Sequence, residues 1–99
     1  MKYDLEYFIA KFEEIPSEQW TSGTYLDDKG FMCAYGHCGM REGDISTKES
    51  RAIGKLILDL DESWSYTLAD VNDGIGEYSK FGGEPKQRVV NYLKSLRTV

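Results

Sequence analysis

Apolar residues recur at helical spacing in three stretches of this chain. The first stretch covers residues 4–15, where Asp4 can cap the helix start and Pro16 ends the helix. Its apolar stripe consists of Leu5, Phe8, Ile9, Phe12 and Ile15. The last stretch begins at Pro85, a residue that suits the first helical position. Its stripe consists of Val89, Val90, Leu93 and Leu96. Both stretches predict amphipathic helices with one buried face.

The middle stretch predicts a third long helix. Ser46 and Glu49 have the spacing of a capping box, in which each side chain bonds the other residue's amide. The apolar stripe that follows consists of Ala52, Ile53, Leu56, Ile57 and Leu60. Gly54 lies inside this helix and costs it roughly 1 kcal/mol relative to alanine. Such a glycine would allow another element to approach closely.

Shorter elements are predicted between the first two long helices. The sequence "PSEQW" indicates a helical turn that Ser17 caps and Trp20 anchors. "DDKG" is a turn signal between "GTYL" and "FM", which predicts a β-hairpin with strands at residues 23–26 and 30–32. Because an isolated hairpin is barely stable in water, we expect it to lie on the helices through aromatic side chains. Those side chains are Tyr25 and Phe31.

"CAYGHC" predicts a short helix over residues 33–38, which Gly39 ends. "SYTLADV", residues 65–71, is compatible with a short helix or an extended segment, and "NDGIG" indicates a turn. The predicted fold class is therefore mainly α with a small β component (α+β). It is a compact bundle of three longer helices with short helices and a β-hairpin insert, and residues 1–99 form a single globular domain.

The charge of the chain is negative and uneven. The net charge is −5, with seven acidic and three basic residues in 1–30 but one acidic and four basic residues in 81–99. An acidic body repels phosphate backbones, so we expect no binding to nucleic acid. Acidic residues interrupt the apolar stretch in residues 1–14 and no cleavage site follows, so we expect no signal peptide, and no apolar run approaches the ~18 residues that cross a bilayer. We therefore expect a cytoplasmic protein, not bound to membrane, with reduced thiols.

Two cysteines and the single histidine fall within six positions. On a helix, Cys33 and His37 would share one face, and the helix dipole would lower the pKa of a thiol in the first turn. His37 could then accept the thiol proton, while Asn72 or Asp73 orients the imidazole. These residues define one hypothesis, a cysteine-dependent hydrolase or transferase.

A packing role for the cysteines is the favoured interpretation. Free cysteine is among the most buried residue types, and small residues such as Ala34 and Gly36 suit a helix pressed against a neighbour. Zinc is disfavoured because Cys33, His37 and Cys38 supply three ligands at most and form no paired knuckle. A disulfide inside so short a helix would have unsuitable geometry. We therefore expect no metal, no cofactor and no disulfide.

The tyrosines favour a binding function. Seven of them are too many for the core of a 99-residue domain, and tyrosine is enriched at interfaces. Trp20 is interpreted as a core aromatic, and Asn72 with Asp73 as a cap or turn. The functional alternative is that these residues converge on a small-ligand pocket. The predicted binding residues are Trp20, Tyr25, Tyr35, His37, Asn72 and Asp73. The leading hypothesis is a non-catalytic binding protein for a protein partner or a small ligand.

The order W-x₂-G…D-x-G-x₂-C-A-x-G…N-D resembles a family of small bacterial and phage proteins with no assigned function. The positions that carry the resemblance are Trp20, Gly23, Asp28, Gly30, Cys33, Ala34, Gly36, Val71, Asn72 and Asp73. The resemblance covers roughly residues 17–75 and implies a shared fold unit around Trp20, Cys33 and Asn72. It implies no activity, cofactor or catalytic residue. Members of the family tend to have an apolar residue where His37 stands, so the resemblance does not support a mechanism that depends on this imidazole.

Overall fold

The computed structural model describes residues 2–42, 46–61 and 67–97. Within these ranges the α-helices are α1 (Leu5–Glu14), α2 (Ala34–His37), α3 (Lys48–Asp61), α4 (Thr67–Asp73) and α5 (Pro85–Ser95). Two 3₁₀-helices cover Ser17–Gln19 and Gly76–Phe81. The same ranges contain no β-strand. The prediction of a compact, mainly helical fold is confirmed, and the predicted β-hairpin insert is wrong.

Helix α5 lies at the centre of the fold, where it packs against α1, α2, α4 and both 3₁₀-helices. It buries Val89, Val90, Tyr92 and Leu93. The side chains packed into the same core from other helices are Phe8, Ile9, Phe12, Ile53, Ile57, Leu68 and Val71. The stripes predicted for α1 and α5 are thus confirmed, whereas Leu60 at the end of the α3 stripe is 43% exposed.

The start of α3 is capped one residue later than the sequence predicts. The amide of Ser50 donates to Thr47 Oγ1 at 3.0 Å, and the amide of Thr47 donates to Ser50 Oγ at 2.9 Å. This is a reciprocal capping box, but it does not use Ser46 or Glu49. Glu49 instead bonds residues of α1, as described below. The predicted box is wrong because a tertiary contact takes the carboxylate that the local pattern assigned to the cap.

The predicted hairpin is a single reverse turn. The amide of Asp27 donates to the carbonyl of Phe31 at 2.9 Å, and Asp27 Oδ1 accepts the amides of Lys29 and Phe31 at 2.9 Å each. Beyond the turn, Met32 forms only isolated bridges with Leu26 and Trp20. The backbone of Met32 bonds the segment around Trp20 instead: its amide donates to a carbonyl there at 3.1 Å, and its carbonyl accepts an amide there at 3.0 Å. The pairing between residues 30–32 and 23–26 is thus limited to the single Leu26–Met32 bridge, and no strand forms.

The acidic start of the chain and its basic end contact each other in the fold. Arg97 forms two hydrogen bonds with the carboxylate of Glu6, at 2.7 and 2.9 Å. Lys94 lies 3.5 Å from the carboxylate of Glu13. Exposed pairs of this kind contribute little to stability, because solvent screens them. They match the acidic first helix to the basic last helix.

The described helices are all too short or too polar to span a lipid bilayer.

Candidate functional site

A cleft of about 290 Å³ lies between the segment before the Asp27 turn and α4. Its walls are formed by Gly23, Thr24, Tyr25, Cys33, Glu42, Ala69 and Asp73. Three residues that the sequence singled out, Tyr25, Cys33 and Asp73, thus meet at one concavity. Thr24, Glu42 and Ala69 were not predicted at the site, because nothing in their types or spacing distinguishes them from other surface residues.

Asn72 is the fully buried polar residue behind this cleft. Its Oδ1 accepts the amide of Ala34, the first residue of α2, at 3.1 Å. Its Nδ2 donates to the carbonyl of Thr21 and to Asp73 Oδ1, both at 2.9 Å. The side chain therefore joins α4, the start of α2 and the segment after Trp20. Asn72 is a cap, as one interpretation predicted, but it caps a helix 38 positions away in the sequence.

Asp73 fixes the wall of the cleft. Its Oδ1 accepts the amide of Gly23 at 3.1 Å as well as the amide hydrogen of Asn72. Gly23 has a φ of +82°, a backbone conformation that residues other than glycine rarely adopt. The second carboxylate oxygen of Asp73, Oδ2, has no hydrogen-bond partner among the residues that the structure describes. This oxygen is therefore not used by the described part of the fold.

Gly36 holds the opposite side of the same segment. A Cβ atom at Gly36 would lie 1.9 Å from the carbonyl oxygen of Tyr25, so only glycine permits this contact. The close approach that was predicted for the small residues of α2 is thus made by the backbone of the cleft wall. The cleft wall is held on one side by Asp73 and on the other by Gly36.

Arg88 supports Asn72 from the other side of α4. Its Nη2 donates to the carbonyl of Asn72 at 2.8 Å, and its Nε lies 3.3 Å from the carbonyl of Val71. Both carbonyls belong to the last turn of α4, where intrahelical donors run out, although the carbonyl of Val71 also accepts the amide of Gly74 at 3.1 Å. This role of Arg88 was not predicted, because an arginine within the α5 sequence does not indicate which carbonyls it will reach.

Cys33 precedes α2 with an extended backbone, φ −82° and ψ 179°. The prediction that the helix includes Cys33 is therefore wrong, and with it the helical i, i+4 argument for pairing its thiol with His37. Its side chain is buried, with 6% of the residue exposed. Burial raises the pKa of the Cys33 thiol, and the nearby Asp73 carboxylate raises it further, although backbone amides of Gly36 and Tyr35 partly oppose the shift. A nucleophilic cysteine requires the opposite shift.

His37 lies against Trp20, with 4.7 Å between the ring centroids, and it is not among the residues that line the cleft. Burial lowers the pKa of the imidazole, and the positive charges of Lys11 and Arg41 lower it further. Its Nε2 is buried and has no hydrogen-bond partner within the described residues. The environment favours a neutral imidazole packed in the core.

Of the other predicted aromatic residues, Trp20 and Tyr35 are core residues. Trp20 is buried, and its Nε1 donates to the carbonyl of Ile15 at 3.4 Å, which confirms its interpretation as a core aromatic. Tyr35 is 5% exposed and lies on the α3 side of α2, near Gly54. Of the remaining tyrosines, Tyr92 is buried and Tyr66 lies outside the described residues. Those that are half-buried are Tyr3, Tyr7, Tyr25 and Tyr78.

Cys38 belongs to a separate cluster between α1 and α3. The hydroxyl of Tyr7 donates to the Glu49 carboxylate, and Lys11 Nζ lies 3.0 Å from it. Burial, followed by the charge of Glu49, raises the pKa of the Cys38 thiol to about 12. Both cysteines are free thiols. Within the described ranges, no three residues of the types His, Cys, Asp or Glu are grouped so that they could hold a metal ion.

No protein-family model, no curated protein and no solved structure matches this chain. The resemblance to a family of small bacterial and phage proteins therefore stays a prediction.

Replacing Asn72 with alanine should destabilise the fold by about 2–4 kcal/mol, because the buried amide of Ala34 and carbonyl of Thr21 would lose their partner. Denaturant unfolding followed by circular dichroism measures this change. The control is Asn91→Ala, since Asn91 makes one exposed hydrogen bond, to the carbonyl of Phe81. We expect this variant to lose less than about 1 kcal/mol. Equal losses in the two variants would contradict the role given to Asn72.

The lowered pKa of His37 predicts a dependence of stability on pH. Between the ordinary histidine pKa of about 6.5 and its lower value in the folded state, the unfolded chain binds the proton more readily than the folded chain. The free energy of unfolding should therefore fall as the pH drops below about 6.5. Unfolding curves between about pH 5 and 8 for the wild type and His37→Phe test this. The variant should show a smaller fall across this range, and identical pH profiles would contradict the prediction.

Proposed function

We propose that this protein is a small, non-catalytic binding protein that engages a protein partner or a small ligand at the cleft beside Tyr25, Cys33 and Asp73. By the resemblance of its motifs, we place it among bacterial or phage proteins, and we expect it to act in the cytoplasm. The single observation that carries the proposal is the cleft itself, whose wall is held by the exposed hydrogen bond from Gly23 to Asp73 and by the buried one from Ala34 to Asn72. Pockets that bind ligands are concave, largely pre-formed and mostly apolar, with a few placed polar groups.

The contacts of the cleft wall support a pre-formed site. The amide of Gly23 is bonded by Asp73, and the carbonyl of Tyr25 rests on Gly36. Next along the chain, the side chain of Asp27 closes the turn that follows. A surface that is already ordered loses little conformational entropy on binding, so more of the contact energy appears as affinity. The segment that forms the cleft wall has no β-ladder, so hydrogen bonds to side chains order its backbone instead.

The alternative is a cysteine-dependent hydrolase or transferase that uses Cys33, His37 and either Asn72 or Asp73. One observation favours it, since Cys33 and Asp73 line the same cleft. Three observations favour the binding function over it. The pKa of the Cys33 thiol is raised, the imidazole of His37 packs on Trp20, and the side chain of Asn72 is occupied by structural hydrogen bonds.

Filling the cleft should abolish binding. We expect the tagged wild-type protein to retain a reproducible partner or small molecule from a bacterial or phage-infected extract, as identified by mass spectrometry. Thr24→Trp places a large side chain in the cleft and should lose that species, while Lys55→Trp adds the same bulk at an exposed site on α3 and should keep it. Cys33→Ala should also keep it. Retention of the same species by Thr24→Trp would contradict the proposal.

Thiol labelling separates binding from cysteine catalysis. With its pKa raised, the buried Cys33 thiol should react with iodoacetamide at neutral pH far more slowly than the same thiol in the denatured chain. His37→Ala should not slow the reaction further. Mass spectrometry of the alkylated peptide measures both rates. Fast labelling with an apparent pKa well below about 8.5, abolished by His37→Ala, would support the enzyme instead.

A further inference from the structure

We infer that the cleft binds the positively charged side chain of a lysine or arginine presented by a basic segment of a partner protein. This inference rests on the proposed binding function and specifies the chemistry of the partner. Three features of the molecule support this inference: the charges at the cleft, the apolar lining of the cleft and the surface that continues beyond it.

The charges that line the cleft are negative. Glu42 and Asp73 contribute carboxylates, and no lysine or arginine is among the lining residues. Glu42 is exposed and forms neither a hydrogen bond nor an ion pair with any residue that the structure describes. Asp73 keeps Oδ2 without a partner in the same sense. Two carboxylate groups are therefore available to a cation without breaking any contact described for the fold.

The lining between these carboxylates is apolar in character. Ala69 and Cys33 present small apolar groups, and Tyr25 adds an aromatic ring. Lysine and arginine have the matching composition, since each carries a charged head on an apolar stem that packs along hydrophobic surface. A volume of about 290 Å³ is at the lower end of ligand pockets, so the cleft suits a side chain better than a larger molecule.

The surface beyond the cleft favours a polypeptide over a free amine. A shallow depression of about 420 Å³ shares Thr24 with the cleft and continues along the Asp27 turn. It exposes Leu26, 42% of which is accessible, and its other lining residues are Asp27, Asp28, Lys29 and the half-buried Phe31, so its charged groups are two acids and one base. A basic side chain in the cleft could thus be accompanied by an apolar side chain of the same segment on Leu26. The charge complementarity and this continuity identify a basic segment of a partner protein as the occupant.

A second copy of this chain is a weaker candidate for the occupant. Two copies of a chain with a net charge of −5 repel each other, and two of its basic residues, Lys94 and Arg97, are paired with carboxylates of α1. Docking them into a neighbouring cleft would break those pairs. Self-association is therefore an outcome that the experiment must detect, and it would overturn the assignment to a different protein.

The experiment compares peptides that differ in one charge. Acetylated, amidated Leu-Gly-Lys-Gly and Leu-Gly-Arg-Gly are titrated into ¹⁵N-labelled protein, alongside the same peptide with norleucine, whose stem lacks the ammonium group. We expect saturable amide shifts at Gly23, Tyr25 and Ala69 with at least one basic peptide, and binding of norleucine at least ten-fold weaker. Raising the NaCl concentration to about 0.5 M should weaken the basic peptide several-fold, because salt screens exposed charges.

A pair of matched variants tests whether the carboxylate of Glu42 binds the basic side chain. Glu42→Gln should weaken the basic peptide several-fold without changing the spectrum of the free protein, because Glu42 has no described partner to lose. Glu77→Gln removes an equally exposed charge from the second 3₁₀-helix and should leave affinity unchanged. Equal affinity of Glu42→Gln and the wild type would overturn the inference. So would n-butylammonium binding as tightly as the peptide, or concentration-dependent self-association through the same amides.

The outcomes separate this inference from the proposal on which it rests. If norleucine and lysine peptides shift the cleft amides equally, the charge inference fails while a binding cleft remains. If no peptide shifts those amides, the inference fails. If, in addition, Thr24→Trp retains the species captured by the wild type, the proposed function fails with it.

Discussion

The buried carboxamide of Asn72 is the interaction on which the arrangement of the cleft depends. It bonds the first amide of α2, the carbonyl of Thr21 and its neighbour Asp73, and so connects segments that are distant in sequence. A buried polar group without partners is costly, and a network that is fully satisfied specifies one arrangement of the chain. Arg88 extends this network by donating to the backbone carbonyl of Asn72, although it does not line the cleft. The position of the cleft wall is thus set by α4.

The packing around this network also explains why the pKa of the Cys33 thiol is raised. The helix that begins after Cys33 has a single turn, and its first amide already donates to Asn72. The amides of Tyr35 and Gly36 at this helix start favour the thiolate form of Cys33, but burial of the side chain outweighs them and raises the pKa of the thiol. Asp73, drawn close by its bond to Gly23, opposes ionisation of the thiol further. Of the residues that suggested catalysis, Cys33 and Asp73 share the cleft, where the carboxylate opposes ionisation of the thiol, whereas His37 packs on Trp20 outside it.

The sequence predicts the parts of this fold that local periodicity determines. The stripes of α1 and α5 and the cap at Asp4 were predicted because their residues interact within one or two turns. The cap of α3 was misplaced because Glu49 bonds Tyr7 and Lys11 on another helix. The predicted hairpin is wrong because its pairing stops at the single Leu26–Met32 bridge, while Met32 also pairs with Trp20. At the site, residue type singled out Tyr25, Cys33 and Asp73, but spacing could not show that Asn72 caps a helix 38 positions earlier.

The cleft combines a backbone wall that is ordered by hydrogen bonds with carboxylates that no base in the described chain neutralises. This combination supports the recognition of a cationic partner. The acidic residues of α1 meet bases across the helix contact: Glu6 bonds Arg97, and Glu13 lies near Lys94. No such base in the described chain meets Glu42, and Asp73 commits one oxygen to the wall and leaves the other unbonded. The fold thus orders the backbone around the cleft without consuming the charge that lines it. A partner that supplies a cation gains electrostatic complementarity, and it meets a surface whose ordering cost has already been met during folding.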